Sequence, residues 1–355
     1  MILLNPGPVT LSERVRKALL GPDLCHREVE FAQLQQRIKE GLLRLYELNP
    51  QSWAAVLLTG SGTAAVEAMI TTLVPDTGRL LVIENGAYGE RISQIATIYG
   101  INHLVFSHPW DKEIDVQQLE KILDDNEDIS HIAIVHHETT TGRLNDLQRI
   151  ASVCQGRNIE LLLDAVSSFG AERIDFDAWN VTGCAATANK CLHSVPGASF
   201  VIARRYALGL NSKPRNLYLN LTNYCQQQDR GGTPFTQSVQ TFYALAEALR
   251  ELTEQGGWQQ RQRHYGELIE RVRNGLAALG IRPLLADGVS SMVLHAFHLP
   301  TGISYETLHD QLKQNGFVIY AGQGALACSI FRISTMGAIE HSDIDRFLSL
   351  VEGII

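Results

Sequence analysis

The stretch Ile159-Glu-Leu-Leu-Leu-Asp164-Ala-Val-Ser-Ser168 decides the fold of this chain. Its apolar residues are typical of a fully buried strand, and that strand ends on the acid Asp164. A second stretch, Ala186-Thr-Ala-Asn-Lys190-Cys191, places a lysine among small residues 26 positions after Asp164. In open α/β sheets, ligands bind at the carboxyl ends of the strands. We therefore expect Asp164 at a binding edge of a sheet, with Lys190 able to reach the same edge.

An acid and a lysine at one sheet edge would serve pyridoxal phosphate (PLP). This cofactor needs a lysine for its Schiff base and an acid beside its pyridinium nitrogen. On Asp164 and Lys190 alone, a strand-capping aspartate and a surface lysine are the simpler interpretation. The choice depends on the rest of the sequence.

The chain from Ala54 to about residue 203 alternates short apolar runs with helical segments, which predicts βα units and a mostly parallel sheet. The predicted strands are Ala55–Leu58, Leu80–Ile83, His103–Phe106, His131–Val135, Ile159–Leu163 and Ser199–Ala203. Two long helices, about 237–255 and 259–279, follow, and a smaller α+β pattern begins beyond Gly280. We predict an α/β fold with an N-terminal segment (1–20), a large domain (21–260) and a small C-terminal domain (261–355). A capping box at Thr10-Leu-Ser-Glu13 predicts a short first helix.

Composition excludes several classes of protein. The 355 residues are 45% hydrophobic and 19% charged, as in ordinary globular proteins. A net charge of −8 gives no support for nucleic-acid binding, and no run of 18 apolar residues predicts a membrane span. Six scattered cysteines without a C-x-x-C pair, and an N-terminus without a signal-peptide pattern, predict a cytoplasmic protein with reduced thiols.

Two glycine-containing motifs follow predicted strands. Leu58-Thr-Gly-Ser-Gly-Thr-Ala64 combines a turn with a helix start, which suits phosphate binding by free amides and hydroxyls, although such a sequence is often only a turn. Glu84-Asn-Gly-Ala-Tyr-Gly-Glu-Arg91 places Tyr88 where it can stack on a pyridine ring or simply pack on the core. For the phosphate we expect mainly neutral donors, with no lysine or arginine from the first motif.

The segment His136-His-Glu-Thr-Thr-Thr-Gly142 follows a third strand. Its histidines and glutamate suggest metal ligands, but no matching set of Cys or His residues accompanies them elsewhere, so we predict no metal site. Its hydroxyls are more informative, because one of them can hydrogen-bond the phenolic oxygen of PLP.

In this order, the motifs resemble the class V, fold-type I, PLP-dependent aminotransferases. The resemblance extends from Leu4-Asn-Pro-Gly-Pro8 to Phe331-Arg-Ile-Ser-Thr-Met-Gly337, and within the family it looks most like the 2-aminoethylphosphonate–pyruvate transaminases. It implies a fold with a large domain built on a mostly parallel sheet and a smaller C-terminal α+β domain. It also implies a homodimer and ping-pong transamination between a small-molecule amine donor and a 2-oxo acid such as pyruvate.

The resemblance also implies roles for individual residues. Lys190 would be the Schiff-base lysine and proton shuttle, and Asp164 the partner of the ring nitrogen. Arg332 would bind the substrate's acid group, with an ion pair to Asp343 or Asp345 as the structural alternative. The remaining cofactor residues would be Ser61, Gly62 and Thr63 at the phosphate, Tyr88 and Val166 at the ring, Thr140 at the phenolic oxygen, and Thr236 from the neighbouring subunit. His26 and Arg27 would face the mouth of the active site, unless their segment is only a solvated approach to a helix.

Three other interpretations stay open. An alanine–glyoxylate or serine–pyruvate type aminotransferase would use the same cofactor residues. A class V lyase would need a nucleophilic cysteine on a mobile loop, and the nearest candidate, Cys328, lies in an apolar run that predicts a core residue. A nucleotide-binding regulator with the same sheet would not need Lys190.

Overall fold

The computed structural model describes residues 1–211 and 213–355, and a seven-stranded sheet lies at their centre. In chain order the strands are β1 (Ile2–Leu3), β2 (Trp53–Gly60), β3 (Arg79–Glu84), β4 (His103–Ser107), β5 (Ile129–Val135), β6 (His137–Glu138), β7 (Arg143–Leu144), β8 (Glu160–Asp164), β9 (Val181–Thr187), β10 (Gly197–Arg204), β11 (Leu294–His298), β12 (Phe317–Val318), β13 (Tyr320–Ala321) and β14 (Ile330–Ser334). The α-helices are α1 (Glu13–Ala18), α2 (Val29–Arg44), α3 (Gly62–Leu73), α4 (Ala87–Ile98), α5 (Val116–Asp124), α6 (Leu147–Cys154), α7 (Leu221–Asp229), α8 (Val239–Glu254), α9 (Gly257–Ala278), α10 (Tyr305–Gln314) and α11 (His341–Ile354).

The central sheet is mostly parallel. Its strand order is β2-β10-β9-β8-β5-β3-β4, and only the pairs that include β10 are antiparallel. Because β2 and β9 both run opposite to β10, β2 runs in the same direction as the five parallel strands. Each strand predicted between Ala55 and Ala203 coincides with a strand of this sheet. The α/β class predicted from the sequence is confirmed.

The sequence did not predict strand β9. Its sequence, Val-Thr-Gly-Cys-Ala-Ala-Thr, has little of the bulky apolar character that marks the other strands, yet all seven residues are buried between β8 and β10. Gly183 explains the small residues, because a Cβ there would lie 2.4 Å from Leu73 of α3. Helix α3 therefore packs directly against the backbone of β9. This strand brings Thr187, and after it Lys190, to the edge of the sheet.

Helices cover both faces of the central sheet. On one face, Leu57, Leu81 and Leu163 pack against α2 and α8, where Phe31 and Phe242 stack with their ring centroids 5.6 Å apart. On the other face, the alternate strand residues pack against α3, α4 and α7. Side chains point to opposite faces at successive strand positions, so runs that are apolar throughout fit a sheet covered on both sides.

A second, three-stranded sheet of order β11-β14-β13 lies in the C-terminal part of the chain. The N-terminal segment reaches this part, because β1 pairs in parallel with β12 and Leu4 is buried with Phe317 and Phe331. The division of the chain into residues 1–20, 21–260 and 261–355 stays a prediction. Among the described residues, every helix is too short or too polar to cross a bilayer.

The first helix begins later than the capping box predicted. The N-cap of α1 is Ser12, whose hydroxyl accepts the N–H of Val15 at 3.2 Å. Thr10 instead accepts the N–H of Leu3 at 2.9 Å. The assignment of Thr10 as the cap is therefore wrong, because its hydroxyl holds the first strand rather than the helix.

Candidate active site

The motifs identified in the sequence meet at one edge of the central sheet. Strands β2, β3, β5, β8 and β9 run in the same direction, so their carboxyl ends lie together. These ends lead into the Ser61 turn, the Tyr88 helix, the His136–Gly142 segment, Asp164 and Lys190. This is where open α/β sheets bind ligands.

A cavity of about 500 Å³ opens at this edge. Its lining contains seven of the predicted site residues and adds others that the sequence did not single out. The lining residues are Thr59, Gly60, Ser61, Gly62, Thr63, Val66, Tyr88, Arg91, Asp164, Val166, Thr187, Asn189, Lys190, Pro196 and Gly197. Thr140, Thr236, Arg332, His26 and Arg27 are not among them.

One end of the cavity is the start of α3. Ser61 occupies the N-cap position without a side-chain cap hydrogen bond, so the first amides of a 12-residue helix lack that partner. Gly62 allows the helix to approach Val166, because a Cβ at residue 62 would lie 2.8 Å from the valine side chain. Free amides and the positive end of the helix dipole make this corner suited to a phosphate group.

Asp164 lies at the end of β8 and is only 6% exposed. Its Oδ1 accepts the N–H of Val166 at 3.0 Å. Burial raises the pKa of the Asp164 carboxyl to about 6, although the bond from Val166 and the positive charges of Arg91 and Lys190 oppose the shift. A cation beside Asp164 would favour its ionised form. An ionised carboxylate is the form that can hold a protonated ring nitrogen.

Lys190 follows β9, and its ammonium donates a hydrogen bond to the carbonyl oxygen of Pro6. The N-terminal segment lies so close that a Cβ on Gly7 would be 2.7 Å from the lysine side chain. Burial lowers the pKa of the Lys190 amine to about 8; Arg332 acts in the same direction and Asp164 against it. No motif in the sequence predicts this contact between residues 6 and 190.

Tyr88 lies in the first turn of α4 and lines the cavity. Its helix start is held by Glu138, whose carboxylate accepts the N–H groups of Tyr88 at 3.3 Å and Gly89 at 3.4 Å. The hydroxyl of Thr140 donates to Glu138 at 2.6 Å and accepts the N–H of Ala87 at 3.2 Å. The predicted contact of Thr140 with the phenolic oxygen of the cofactor stays a prediction.

Arg332 lies on β14 and is 3% exposed. Its guanidinium donates to the carbonyl oxygens of Ala321 at 2.8 Å and Thr139 at 2.9 Å. Burial lowers the pKa of Arg332, and Tyr88 and Glu138 lie near enough to oppose that shift.

The structural alternative for Arg332 does not hold. Asp343 pairs with Arg346 at 3.7 Å, and Asp345 pairs with Arg271. Within the part of the chain that the structure describes, Arg332 makes no ion pair within 4.0 Å. Its guanidinium therefore keeps N–H groups for a further acceptor.

Arg91 is a cavity residue that the sequence interpretation missed. It lies three positions after Tyr88 on α4, with its guanidinium carbon 4.8 Å from the tyrosine ring centroid. One of its nitrogens donates to the hydroxyl of Thr63 at 3.3 Å. The first motif itself contains no lysine or arginine, and Arg91 of the second motif brings a cation to the cavity that both motifs line. The signal was present, since residues three apart on a helix share a face and Tyr88 was already assigned to the site.

His26, Arg27 and Thr236, which were also predicted site residues, do not line the cavity. His26 and Arg27 occupy a turn before α2, where Arg27 is exposed. Thr236 is exposed as well, next to Gln237, whose side-chain oxygen accepts the hydroxyl of Thr59 at 2.7 Å. This bond fixes the Thr236 segment beside the strand that leads to Ser61.

Three further side chains have their positions settled by the structure. His136 bonds to the hydroxyl of Ser168 at 3.0 Å and His137 to the carbonyl of Ser167 at 3.2 Å, and burial lowers the pKa of both imidazoles to about 3. Cys328 is exposed, so its assignment to the core is wrong. The apolar residues before it form a short 3₁₀ helix, Gly324–Leu326, in a surface loop rather than the start of β14.

The residues of the cavity fit pyridoxal phosphate. The uncapped start of α3 suits the phosphate, and Tyr88 and Val166 offer an aromatic ring and an apolar side chain in the same cavity for the cofactor ring. Asp164 is a buried acid with one protein donor, and Lys190 is a half-buried amine whose pKa is shifted toward the neutral form. These are the groups that such a cofactor requires.

Comparison with known proteins agrees with this geometry. The model of the family described as aminotransferase class V matches residues 21–347. The chain belongs to the class V aminotransferase family. It is 36% identical to a 2-aminoethylphosphonate–pyruvate transaminase of Klebsiella pneumoniae over 362 residues, which cover 99% of this chain and 96% of the relative.

Solved structures of the fold are also similar to this class V aminotransferase. An aspartate aminotransferase of subgroup IV from Thermus thermophilus is 27% identical with a TM-score of 0.90, and covers 100% of this chain and 99% of its own. An alanine–glyoxylate aminotransferase from Nostoc is 25% identical with a TM-score of 0.92, over 99% and 94% of the two chains. The predicted fold-type I architecture is confirmed, and the protein is a PLP-dependent aminotransferase.

Proposed function

We propose that this aminotransferase transfers the amino group of 2-aminoethylphosphonate to pyruvate, giving phosphonoacetaldehyde and L-alanine. The observation that carries the proposal is the 36% identity, over nearly the full length of both chains, to a relative named for this reaction. The site chemistry is compatible with it. A buried guanidinium, Arg332, retains donors for an acid group, and both substrates carry one.

Lys190 and Asp164 would carry the proton chemistry. Bound pyridoxal phosphate supplies a ring that accepts electrons from the carbon losing its proton. Lys190 would hold the cofactor covalently in the resting enzyme and, once released, take the proton from the carbon that bears the donor's amino group. An amine accepts a proton only in its neutral form, and burial lowers the pKa of this amine to about 8. Asp164 would keep the ring nitrogen protonated.

Arg332 would bind the acid group of each substrate in turn. Its bonds to Ala321 and Thr139 fix the guanidinium plane and join β14 to the segment that follows β5. A planar guanidinium matches a carboxylate through two parallel hydrogen bonds and can also bind two oxygens of a phosphonate. One residue could therefore serve both half-reactions of a ping-pong cycle.

The remaining cofactor contacts would come from residues of the cavity. Ser61, Gly62 and Thr63 would bind the phosphate through amides and hydroxyls, and Tyr88 and Val166 would enclose the ring. Thr140 would reach the phenolic oxygen. This last contact needs Thr140 to share its hydroxyl between Glu138 and the cofactor.

We also infer a homodimer in which Thr236 of each chain completes the phosphate site of the other. Thr236 is exposed, and the next residue, Gln237, accepts the hydroxyl of Thr59, which lines the cavity. The apolar side chains of Leu217 and Tyr218 are 78% and 43% exposed, and the Tyr218 hydroxyl donates to the carbonyl of Thr59 at 3.3 Å. An apolar surface beside the site supports contact with a second copy. His26 and Arg27 would lie at the active-site mouth of such an assembly.

An alanine–glyoxylate or serine–pyruvate type activity is the second candidate. The similarity to the Nostoc alanine–glyoxylate enzyme favours it, since the fold and cofactor residues are shared. The two candidates differ in the donor that Arg332 has to accept.

A donor screen tests the proposal. The purified holoenzyme is incubated with pyruvate and either 2-aminoethylphosphonate, L-serine or another amine, and L-alanine is measured. The alanine–glyoxylate alternative is tested with L-alanine and glyoxylate, with glycine as the product. We expect the highest kcat/KM with 2-aminoethylphosphonate. A preference for L-alanine or L-serine would overturn the proposed donor but leave the aminotransferase assignment intact.

A further inference from the structure

Arg91 has no role in the function proposed so far. It lines the same cavity as Ser61, Gly62 and Thr63, and its guanidinium donates to the Thr63 hydroxyl at 3.3 Å. The same guanidinium lies over the ring of Tyr88, at 4.8 Å from carbon to ring centroid. It therefore stands between the corner suited to phosphate and the aromatic ring suited to the pyridine.

The charges at this corner are unbalanced without Arg91. A phosphate monoester carries about −1.5 to −2 charges at neutral pH. The start of α3 offers amides and hydroxyls, which are neutral. Among the described residues that line the cavity, the cationic side chains are Lys190 and Arg91. Lys190 has to bond to the cofactor through its amine, so its positive charge is not free for the phosphate.

Arg91 has guanidinium N–H groups that can bind a ligand. A guanidinium has five N–H groups, and one of them bonds to Thr63. Within the described residues, Arg91 makes no ion pair within 4.0 Å, whereas Arg79 on β3, the strand preceding α4, pairs with Asp128 at 3.2 Å. Asp164 lines the same cavity but does not pair with Arg91 within 4.0 Å, so the guanidinium is available to an anionic ligand.

We propose that Arg91 binds the phosphate group of the cofactor, through guanidinium N–H groups that do not contact Thr63, and is the cation that balances its charge. This inference rests on the proposed placement of the cofactor in the cavity. The competing explanation is that Arg91 only positions Tyr88 and Thr63. In that case its loss would weaken every ligand that stacks on the ring, whether or not the ligand carries a phosphate.

Two ligands that differ only in the phosphate separate these explanations. Pyridoxamine phosphate and pyridoxamine lack the aldehyde and cannot bond covalently to Lys190, so their affinities report non-covalent contacts. Their dissociation constants are measured by calorimetry on the folded apoenzyme, for the wild type, Arg91→Gln and Arg91→Lys. Arg79→Gln is the matched control, because it removes an arginine that precedes α4 at the opposite edge of the sheet.

We expect Arg91→Gln to weaken pyridoxamine phosphate by about 10- to 100-fold, the range for a lost hydrogen bond to a charged group. Pyridoxamine should change by less than about threefold, and Arg91→Lys should recover part of the loss because it keeps the charge. Equal weakening of both ligands, or unchanged affinity for pyridoxamine phosphate, would overturn the inference. Cofactor attached to a lysine other than Lys190 in the wild type would instead overturn the proposed placement itself.

Discussion

The carboxylate of Glu138 caps the helix that carries Tyr88. Its Oε2 accepts the backbone N–H of Tyr88 at 3.3 Å, and its Oε1 accepts the hydroxyl of Thr140 at 2.6 Å. Glu138 is fully buried, and Gly86 leaves room for it, since a Cβ there would lie 2.1 Å from the carboxyl carbon. This relationship ties the helix that carries Tyr88 to the segment that follows β5.

The burial of Glu138 makes the stability of the apoenzyme depend on pH. Burial raises the pKa of Glu138 from 4.5 to about 7, so the folded chain binds this proton more tightly than the unfolded chain. The contribution of Glu138 to the free energy of unfolding is therefore complete below about pH 4.5 and is lost as the pH rises to about 7. Glu138→Gln should remove that component, which is at most on the order of 3 kcal/mol.

Urea unfolding of the apoenzyme at pH 5 and pH 8 measures this difference. Asp164 and Glu172 have pKa values shifted in the same direction, so some pH dependence should remain in the variant. Glu13→Gln, at an exposed glutamate, is the control and should keep the wild-type dependence. An identical pH dependence in Glu138→Gln and the wild type would contradict the role of this carboxyl.

Lys190 should carry the cofactor. Reduction of the holoenzyme with borohydride, followed by peptide mapping, should place the label on Lys190, because this amine lies in the cavity and is shifted toward its neutral form. Lys39 provides an internal control. Its side chain is buried, but it pairs with Asp229 at 2.8 Å and does not line the cavity. Label on Lys39 or any other lysine would rule out the assignment.

The amine of Lys190 should titrate near pH 8 in the apoenzyme. Burial lowers its pKa from 10.5 to about 8, so the neutral form becomes predominant above that pH. Competitive acetylation with trace anhydride, read by mass spectrometry, should give a midpoint near 8 for Lys190. A midpoint for Lys190 above about 10 would show that the apo site does not shift this amine.

Arg332→Lys should damage substrate binding and leave the cofactor in place. The variant keeps the charge but loses the planar pair of donors and the bonds to Ala321 and Thr139. Loss of a buried bidentate partner costs on the order of 2–5 kcal/mol, which is about 30- to several-thousand-fold in kcat/KM for pyruvate. Arg271→Lys, at an exposed ion pair with Asp345, is the control and should retain activity. Near wild-type turnover of pyruvate by Arg332→Lys would direct the search for the acid-binding residue to Arg27.

Mixed dimers should reveal which active site Thr236 serves. Thr236→Val should weaken cofactor retention, and Lys190→Ala should be inactive. If Thr236 acts across the interface, a dimer of one Thr236→Val chain and one Lys190→Ala chain contains one intact site and one site with both defects. Activity at limiting PLP should then exceed that of either parent. No recovery, with mixed dimers verified by differential tags, would place Thr236 in the site of its own chain or outside it.

The site residues that the sequence located lie directly after strands. Asp164, Ser61 and Tyr88 follow apolar runs whose ends are marked by small or polar residues, and parallel strands bring such ends together. Strand β9 was missed because its residues are small and partly polar. Their burial depends on α3 packing over Gly183, and no local pattern records that contact.

Contacts between residues far apart in the chain could not be predicted from local sequence patterns either. Pro6 reaches Lys190 across 184 positions of the chain, and Arg91 meets Thr63 only because α3 and α4 start at the same sheet edge. Cys328 was assigned to the core from its apolar neighbours. The turn at Gly324–Leu326 carries it to the surface instead.

The α/β order of the elements and the positions of the acid and the lysine could be predicted from the sequence, because the spacing of apolar residues and the ends of strands are local properties of the chain. The charge states of Asp164 and Lys190 could not, because they follow from the folded structure. The pKa of Asp164 rises to about 6 and that of Lys190 falls to about 8 chiefly through burial. Burial and neighbouring charges are set by segments far apart in the chain, so the chemistry of this site depends on how the folded elements enclose it.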